Sequence, residues 1–337
     1  MKIQEIPHLT HIPSDGRQLV LQPWYVSADK TWNMYMELPP GSGEFLRVHT
    51  VGMAAGFYYS KESAANGDME LSLATFIVQH ISFRPVVFSL YSLLDDIHLL
   101  SATLDKLELL REVSTDSLRF SFLVESELEH LFVLLRSMYD LLQRMMKHIG
   151  ELMRTKDGGS AFKKLPDSFA AIALKKGQLR TTEELQKDFK LPPLLAGFYQ
   201  SESSLFLKIR TIRNSLAHSG RRLPSVFVTE HGFGVSTEGS EAWSSLEVWK
   251  QHELLPNKIG SVRALAAFLV GSFLKTLNNF ASALQGTIHP TMLPVAVSEG
   301  NRIFIRDPAV GRLSNLNQFF ESPWVTKTTS NKQGDLT

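Results

Sequence analysis

Apolar residues recur at steps of mainly three and four along residues 118–152, the clearest helical pattern in the chain. An α-helix turns once every 3.6 residues, so this spacing predicts one long helix whose apolar stripe must be buried against other helices. Gly158 and Gly159 follow the pattern and act as stop signals. The stripe consists of Leu118, Phe122, Leu128, Leu131, Leu135, Met138, Leu142, Met145, Ile149 and Leu152.

Further helical patterns predict an antiparallel helical bundle over residues 68–290. The other predicted helices are residues 69–82, residues 85–110 after the break at Pro85, a segment from about Leu194 to Ala217, a last long helix from about Ser261 to Ala283, and two shorter helices near Ala170 and Glu183. The fold class predicted from the sequence is therefore mainly α.

Three other segments flank or interrupt this bundle. Residues 1–67 combine aromatic and β-branched runs with Pro and Gly punctuation, which predicts a β-rich region. A β-hairpin is predicted near 225–237, where Gly232 and Gly234 permit the turn. Residues 291–321 form a C-terminal extension in which NRIFIRDP predicts a strand, and the polar tail 322–337 is predicted to be disordered.

Composition excludes several classes of protein. The chain has 337 residues and no cysteine, so disulfide frameworks and thiolate metal sites are excluded. Its net charge of +1 gives no polyelectrolyte character, and any attraction to nucleic acid must come from a local patch. The longest apolar run, 264–274, falls short of the roughly 20 residues that cross a membrane. The N-terminus has no apolar signal-peptide core, so we expect a cytoplasmic protein without a membrane anchor.

The segment IRNSLAHSG, residues 212–220, is the candidate functional motif. On a helical wheel Leu205, Ile209, Ile212 and Leu216 form a narrow apolar stripe that packs on the bundle, whereas Arg210, Asn214 and His218 follow each other on a largely opposite face. Arg213 lies at the border of the stripe. Arg213 and His218 are five residues apart and do not share a face. If both act on one phosphate, the helix must end or bend there, or a second copy must contribute.

The charges around this motif are all of one sign. No acidic residue occurs between Glu202 and Glu230, whereas this interval contains five basic residues. Because cationic side chains supply most of the non-specific affinity for nucleic acid, four of them are predicted RNA-binding residues, namely Lys208, Arg210, Arg221 and Arg222. Cations also favour the negative end of a helix dipole, which is an ordinary structural explanation for the same pattern.

The residue types suit RNA cleavage. The imidazole of His218 titrates near neutrality and can move the proton of a ribose 2′-hydroxyl or of the leaving 5′-oxygen. The permanently charged guanidinium of Arg213 suits the charge that develops on phosphate, and Asn214 can orient the imidazole or bind the phosphate. This chemistry requires no metal and no small-molecule cofactor.

The motif resembles that of HEPN domains. Arg213, Asn214 and His218 match the family's R-x4-6-H pattern, in which Asn is a common residue after Arg. The resemblance implies an all-helical bundle with the motif on a late helix, and a metal-independent ribonuclease whose site forms across a homodimer. It also implies a bacterial defence or toxin-like role. HEPN ribonucleases often place an acidic residue from an earlier helix near this Arg and His, and the candidates here are Glu127, Glu129 and Asp140.

Two other interpretations stay open. In one, His218 and Gly220 form an ordinary helix end, Arg213 pairs with a carboxylate on a neighbouring helix, and the chain is a non-catalytic dimerisation or interaction module. In the other, the chain acts on a small molecule.

The sequence HELLP at 252–256 is a near miss for the zinc motif HExxH, since Pro256 stands in place of the second histidine. The group Asp95, Asp96 and His98 fits a solvated helix face better than a site.

Overall fold

The computed structural model describes residues 23–26, 31–37, 42, 44–48, 57–63, 66–81, 83–113, 118–156, 164–218, 225–238, 241–289, 302–305 and 310–324. These residues are mainly helical with a few small antiparallel sheets, which confirms the predicted mainly α class. The helices are α1 Ser72–His80, α2 Arg84–Val113, α3 Leu118–Leu152, α4 Phe169–Ala173, α5 Thr182–Phe189, α6 Pro193–His218, α7 Glu241–Ser244, α8 Val262–Thr287, α9 Gly311–Ser314 and α10 Leu316–Glu321.

Short strands form the sheets. They are β1 Pro23–Val26, β2 Thr31–Glu37, β3 Phe45–Val48, β4 Phe57–Ser60, β5 Met69–Glu70, β6 Leu174–Lys175, β7 Gln178–Leu179, β8 Val226–Thr229, β9 Gly232–Ser236, β10 Ile259–Ser261 and β11 Arg302–Ile305. Their orders are β1-β2-β3, β10-β9-β8, β4-β11-β5 and β6-β7. Strand β11 pairs antiparallel with both β4 and β5, so the C-terminal extension is joined to the segment that precedes the bundle.

The centre of the bundle is built from α3, α6 and α8. Four aromatic rings from α3, α4, α6 and α8 meet there, with the Tyr139 ring centroid 4.9 Å from that of Phe169, 5.3 Å from that of Phe206 and 5.2 Å from that of Phe273. All four side chains are fully buried. Such tilted and edge-on pairs add stabilisation beyond the burial of their area. The cluster therefore holds the three long helices in one arrangement.

The predicted stripe on α3 is buried along most of its length, from Leu128 to Ile149. Its two ends differ from the prediction, because Phe122 is 54% exposed and Leu152 is 48% exposed. Leu128 follows Phe122 by six residues, about 240° around a helix, so the two side chains point to different faces. Leu152 is the last residue of α3. The side chain of Leu118 lies outside the described residues.

Two glycines in the β8–β9 hairpin have different roles. Gly232 has a φ of +113°, a conformation that favours glycine, at the point where the turn enters β9. Gly234 lies beside β10, where an added Cβ would come within 2.3 Å of the Ile259 side chain. The sequence assigned both glycines to the turn, but Gly234 is needed for the close approach of two strands.

The C-terminal segment is held on the bundle by Arg263 of α8. Its Nε donates to the buried carboxylate of Glu108 at 3.0 Å, and its NH1 donates to the backbone carbonyls of Gln318 and Ser322. The same guanidinium lies 4.3 Å from the Phe319 ring centroid. One side chain therefore connects α2, α8 and α10.

Residues 322–324, which the sequence assigned to the disordered tail, also make hydrogen bonds that hold the C-terminal segment in place. The Ser261 hydroxyl donates to the Pro323 carbonyl at 2.5 Å, and the Trp324 indole donates to the Glu253 carbonyl at 2.7 Å. Residues 325–337 lie outside the described residues.

Two helices of the described chain, α2 and α8, are long and apolar enough to cross a membrane, each with a mean hydropathy of 1.2. The apolar windows of α2 and α8 are 44% and 61% buried inside the protein, respectively. This is weak evidence for a membrane span, because the core helix of a soluble protein meets the same criterion.

Arg263→Met should lower the free energy of unfolding by about 3 kcal/mol, because it leaves a buried carboxylate with one fewer cation and removes two donors from carbonyl groups. The change is measured by urea unfolding. Arg302→Met is the matched control, since Arg302 pairs with Glu70 at an exposed position and its loss should cost under about 1 kcal/mol. Equal losses in the two variants would contradict a special role for Arg263.

Candidate functional site

Arg213 and Asn214 lie in the last two turns of α6. Ile209 and Ile212 of the predicted apolar stripe are completely buried, whereas Leu205 is half-buried and Phe206, which the stripe did not include, is completely buried. Both polar residues are half-buried, and an Arg213 guanidinium nitrogen lies 3.4 Å from the Asn214 side-chain oxygen. This is a long hydrogen bond, so it orients the two groups without engaging the rest of the guanidinium.

No carboxylate pairs with Arg213 among the described residues. Two of the three candidate partners are engaged elsewhere: Glu127 accepts from Lys106 at 3.2 Å, and Asp140 accepts from Arg136. Asp140 also accepts the Phe169 amide at 3.0 Å, and Glu129 is exposed. Within the described part of the chain, the guanidinium therefore has no partner that neutralises its charge.

The remaining predicted residues differ in their surroundings. Arg210 is half-buried, although the helical wheel placed it on an open face, and the Lys208 amine donates to the Ser245 carbonyl after α7. His218 is the last residue of α6, but its side chain lies outside the described residues, as do Arg221 and Arg222. Arg213, Asn214, Arg210 and Lys208 are therefore the predicted residues whose surroundings are defined.

The backbone of α6 stays helical through His218. Five residues of helix correspond to a rotation of about 500°, which places positions 213 and 218 about 140° apart around the helix axis. The sequence left three ways to bring the two groups together, namely a helix end, a bend or a second copy. A helix end between Arg213 and His218 is not observed.

Other candidate groups do not form a site. Among the described residues no cluster of three or more His, Asp or Glu side chains has the arrangement of a metal site. A crevice between Glu108, Arg111, His231 and Arg263 has a volume of about 20 Å³. That volume holds about one water molecule and excludes a nucleotide.

The group on α2 divides between exposed and half-buried positions. Asp95 is exposed, whereas Asp96 and His98 are half-buried. Asp96 and His98 lie on different sides of the helix, about 160° apart around its axis. Burial, together with the smaller effect of the Asp95 charge, raises the pKa of Asp96 to about 6. Burial lowers the pKa of His98, an effect that Asp95 opposes. Asp96 and His98 are therefore not an acid–imidazole pair.

A larger cleft lies near the C-terminal end of α3, with an open volume of about 500 Å³. Its cationic lining consists of Lys147, Lys164 and Arg180, and its apolar lining of Leu165, Pro166, Ala171 and Phe189. These residues come from α3, α4, α5 and the segments between these helices, and no pattern in the sequence relates them. A count of charge along the chain detects the region: residues 144–190 contain eleven Lys and Arg but six Asp and Glu.

Comparison with protein-family models, with curated proteins and with solved structures gave no significant match. The functional assignment therefore depends on the residues themselves.

Asp96→Asn should stabilise the protein by about 1 kcal/mol at pH 7.5, a value that allows for partial exposure to water. The folded-state pKa of Asp96 lies above its ordinary value, so the ionised carboxyl is disfavoured in the fold and stability falls as pH rises from about 4 through 6. The gain of the variant over the wild type should vanish near pH 4. Urea unfolding of both proteins at pH 7.5 and pH 4 measures this difference in the free energy of unfolding.

Asp95→Asn removes an exposed charge from the next position and serves as the control, with a smaller effect expected. A loss of stability in Asp96→Asn at pH 7.5 would show that the carboxylate makes a favourable interaction.

Proposed function

We propose that this protein is a metal-independent endoribonuclease of the HEPN type that acts on RNA in the cytoplasm. The observation that supports this most is the pairing of Arg213 with Asn214 near the end of α6, half-buried and without a carboxylate partner among the described residues. A cation held in place but not neutralised is suited to stabilise charge that develops on a phosphate.

The reaction requires one base, one acid and one cationic group. His218 accepts the 2′-hydroxyl proton as the 2′-oxygen attacks phosphorus, and the bond to the 5′-oxygen breaks. The leaving 5′-oxygen takes up a proton from an imidazolium, so the products are a 2′,3′-cyclic phosphate and a 5′-hydroxyl. Arg213 stabilises the pentacovalent phosphate, and Asn214 orients the groups.

A homodimer accommodates the rotation between the two positions. Positions 213 and 218 of one chain lie about 140° apart around the helix axis, so one phosphate is contacted most simply by Arg213 of one copy and His218 of the other. A two-fold axis then forms two equivalent sites from the same pair of helices. In this arrangement each isolated chain is incomplete.

Arg213→Ala and His218→Ala should each abolish RNA cleavage in EDTA, because one removes the charge that stabilises phosphate and the other removes the proton carrier. Wild-type protein should leave 2′,3′-cyclic phosphate ends. Cleavage of structured and unstructured RNA is followed on gels, and the ends are identified by mass spectrometry.

His252→Ala and Arg302→Ala serve as controls, since both residues are exposed and lie outside the motif. Cleavage that depends on added metal, or that survives in both motif variants, would contradict the proposal. If every RNA of a broad substrate panel stays intact while all proteins are folded, the proposal is contradicted as well.

Mixing the two inactive variants tests the shared site. In a mixed dimer, one site contains both substitutions and the other contains neither. Redistributed equal amounts of Arg213→Ala and His218→Ala should regain roughly a quarter of the wild-type activity. A site contained within one chain would show no recovery, and the measurement is the initial cleavage rate after subunit exchange.

The alternative function is a non-catalytic helical interaction module. It is favoured by a row of exposed apolar side chains on α2, where Phe88 is 54%, Leu99 45%, Leu109 59% and Val113 55% exposed. Exposed apolar residues on one helix face are typical of a surface that contacts another protein. Charged substitutions such as Leu99→Glu and Leu109→Glu would disrupt that contact, as measured by sedimentation.

A further inference from the structure

The net charge of +1 conceals an uneven distribution. Residues 144–190 have a net charge of +5, and the remaining residues together have a net charge of −4. The cleft of about 500 Å³ lies within this basic segment. A local positive potential of this kind attracts phosphate-bearing ligands although the whole chain is close to neutral.

The three cations of the cleft are held differently. Arg180 is 12% exposed, pairs with Asp188 and lies over the Phe189 ring at 5.0 Å, so its guanidinium is fixed before any ligand arrives. Lys147 donates to Asp167 at 2.6 Å. Lys164 is exposed and makes no ion pair among the described residues. The fixed Arg180 loses little conformational freedom when a ligand binds. Within the described chain the unpaired Lys164 has no ion pair that must break first, so both groups favour binding.

Asp167 acts as a displaceable anion in this cleft. Lys147 lowers the pKa of Asp167 by its hydrogen bond and its charge, and the charges of Arg144 and His148 lower it further. The Asp167 side chain is 76% exposed, so it can rotate away from Lys147 into water. A ligand phosphate can then take its place, and its oxygens can accept charge-assisted hydrogen bonds from more than one of the three cations.

Four apolar residues line the cleft together with the cations. We call these residues, Leu165, Pro166, Ala171 and Phe189, the apolar floor. The cleft is wide open to solvent, and its volume of about 500 Å³ is large enough to accept a nucleotide unit. Apolar and aromatic surface beside cations matches a nucleotide, whose base has a π face and whose phosphate is anionic.

We propose that this cleft binds a nucleotide unit, with its phosphate on Lys147, Lys164 and Arg180 and its base on the apolar floor. The unit comes either from an RNA strand or from a free nucleotide. Tyr199 of α6 donates to Gln143, one turn before Lys147, so the cleft lies about 20 Å along α6 from Arg213. If RNA is the source, the proposal rests on the ribonuclease function and assigns a second contact for its substrate.

The test measures binding of a fluorescent 2′-O-methyl RNA oligonucleotide, which cannot be cut by 2′-hydroxyl attack. Lys164→Glu, and Lys147→Gln combined with Lys164→Gln, should each weaken binding about tenfold at low salt. The slope of log affinity against log salt should fall by roughly 0.7 for each phosphate contact removed. Lys258→Glu is the matched control, since Lys258 is 65% exposed and pairs with Glu238.

Competition identifies the source of the nucleotide. Displacement of the oligonucleotide by AMP or ATP at similar concentration would assign the cleft to a free nucleotide, whereas displacement by longer oligonucleotides only would assign it to an RNA strand. Unchanged affinity and salt slope in the folded double variant would overturn the proposal. Absence of binding of either ligand to the wild type would overturn it as well.

The two proposals fail separately. If the double variant binds the oligonucleotide with unchanged affinity while RNA cleavage still depends on Arg213 and His218, the proposed cleft is contradicted and the ribonuclease proposal stands. If the double variant loses oligonucleotide binding and the wild type cleaves no RNA, the proposed cleft is supported and the ribonuclease proposal is contradicted.

Discussion

A buried carboxylate determines how the three central helices meet. Glu202 of α6 is 7% exposed and accepts from Thr276 at 2.5 Å and from Asn279 at 2.8 Å, both on α8. The Thr276 hydroxyl lies 3.3 Å from that of Tyr139 on α3. Sliding α6 by one turn would leave a charge buried without donors, at a cost of several kcal/mol. The position of Arg213, three turns further along α6, follows from this constraint.

Much of the helical core could be predicted because helical periodicity is local. The sequence predicted the segments that became α3, α6 and α8, since apolar spacing depends on residues three and four apart. It did not predict α9 and α10, which are short, nor the role of Arg263, whose partner Glu108 lies 155 residues away. Contacts between distant segments depend on tertiary packing that no local pattern encodes.

The candidate site shows the same division. Neighbouring side chains on one helix, such as Arg213 and Asn214, could be identified from the sequence. The half-buried position of Arg210 could not be predicted from the sequence. The contact of Lys208 with Ser245, which follows the hairpin in the chain, could not be predicted either. The cleft was missed because its cations, Lys147, Lys164 and Arg180, are 17 and 16 positions apart in the sequence, and no helical spacing relates them. Charge counted over a long segment detects such a site better than a short motif does.

The distance between the two cationic regions decides what each can do. Arg213 and the cleft are about 20 Å apart along α6, whereas the charge of an exposed group is screened within about 8 Å at physiological ionic strength. The charges of the cleft therefore do not strengthen phosphate binding at Arg213 through space. A ligand that benefits from both must be long enough to contact both, and a chain of phosphates satisfies this requirement while a single nucleotide does not. A free nucleotide in the cleft could influence Arg213 only through the packing of α6, which Glu202 holds against such movement.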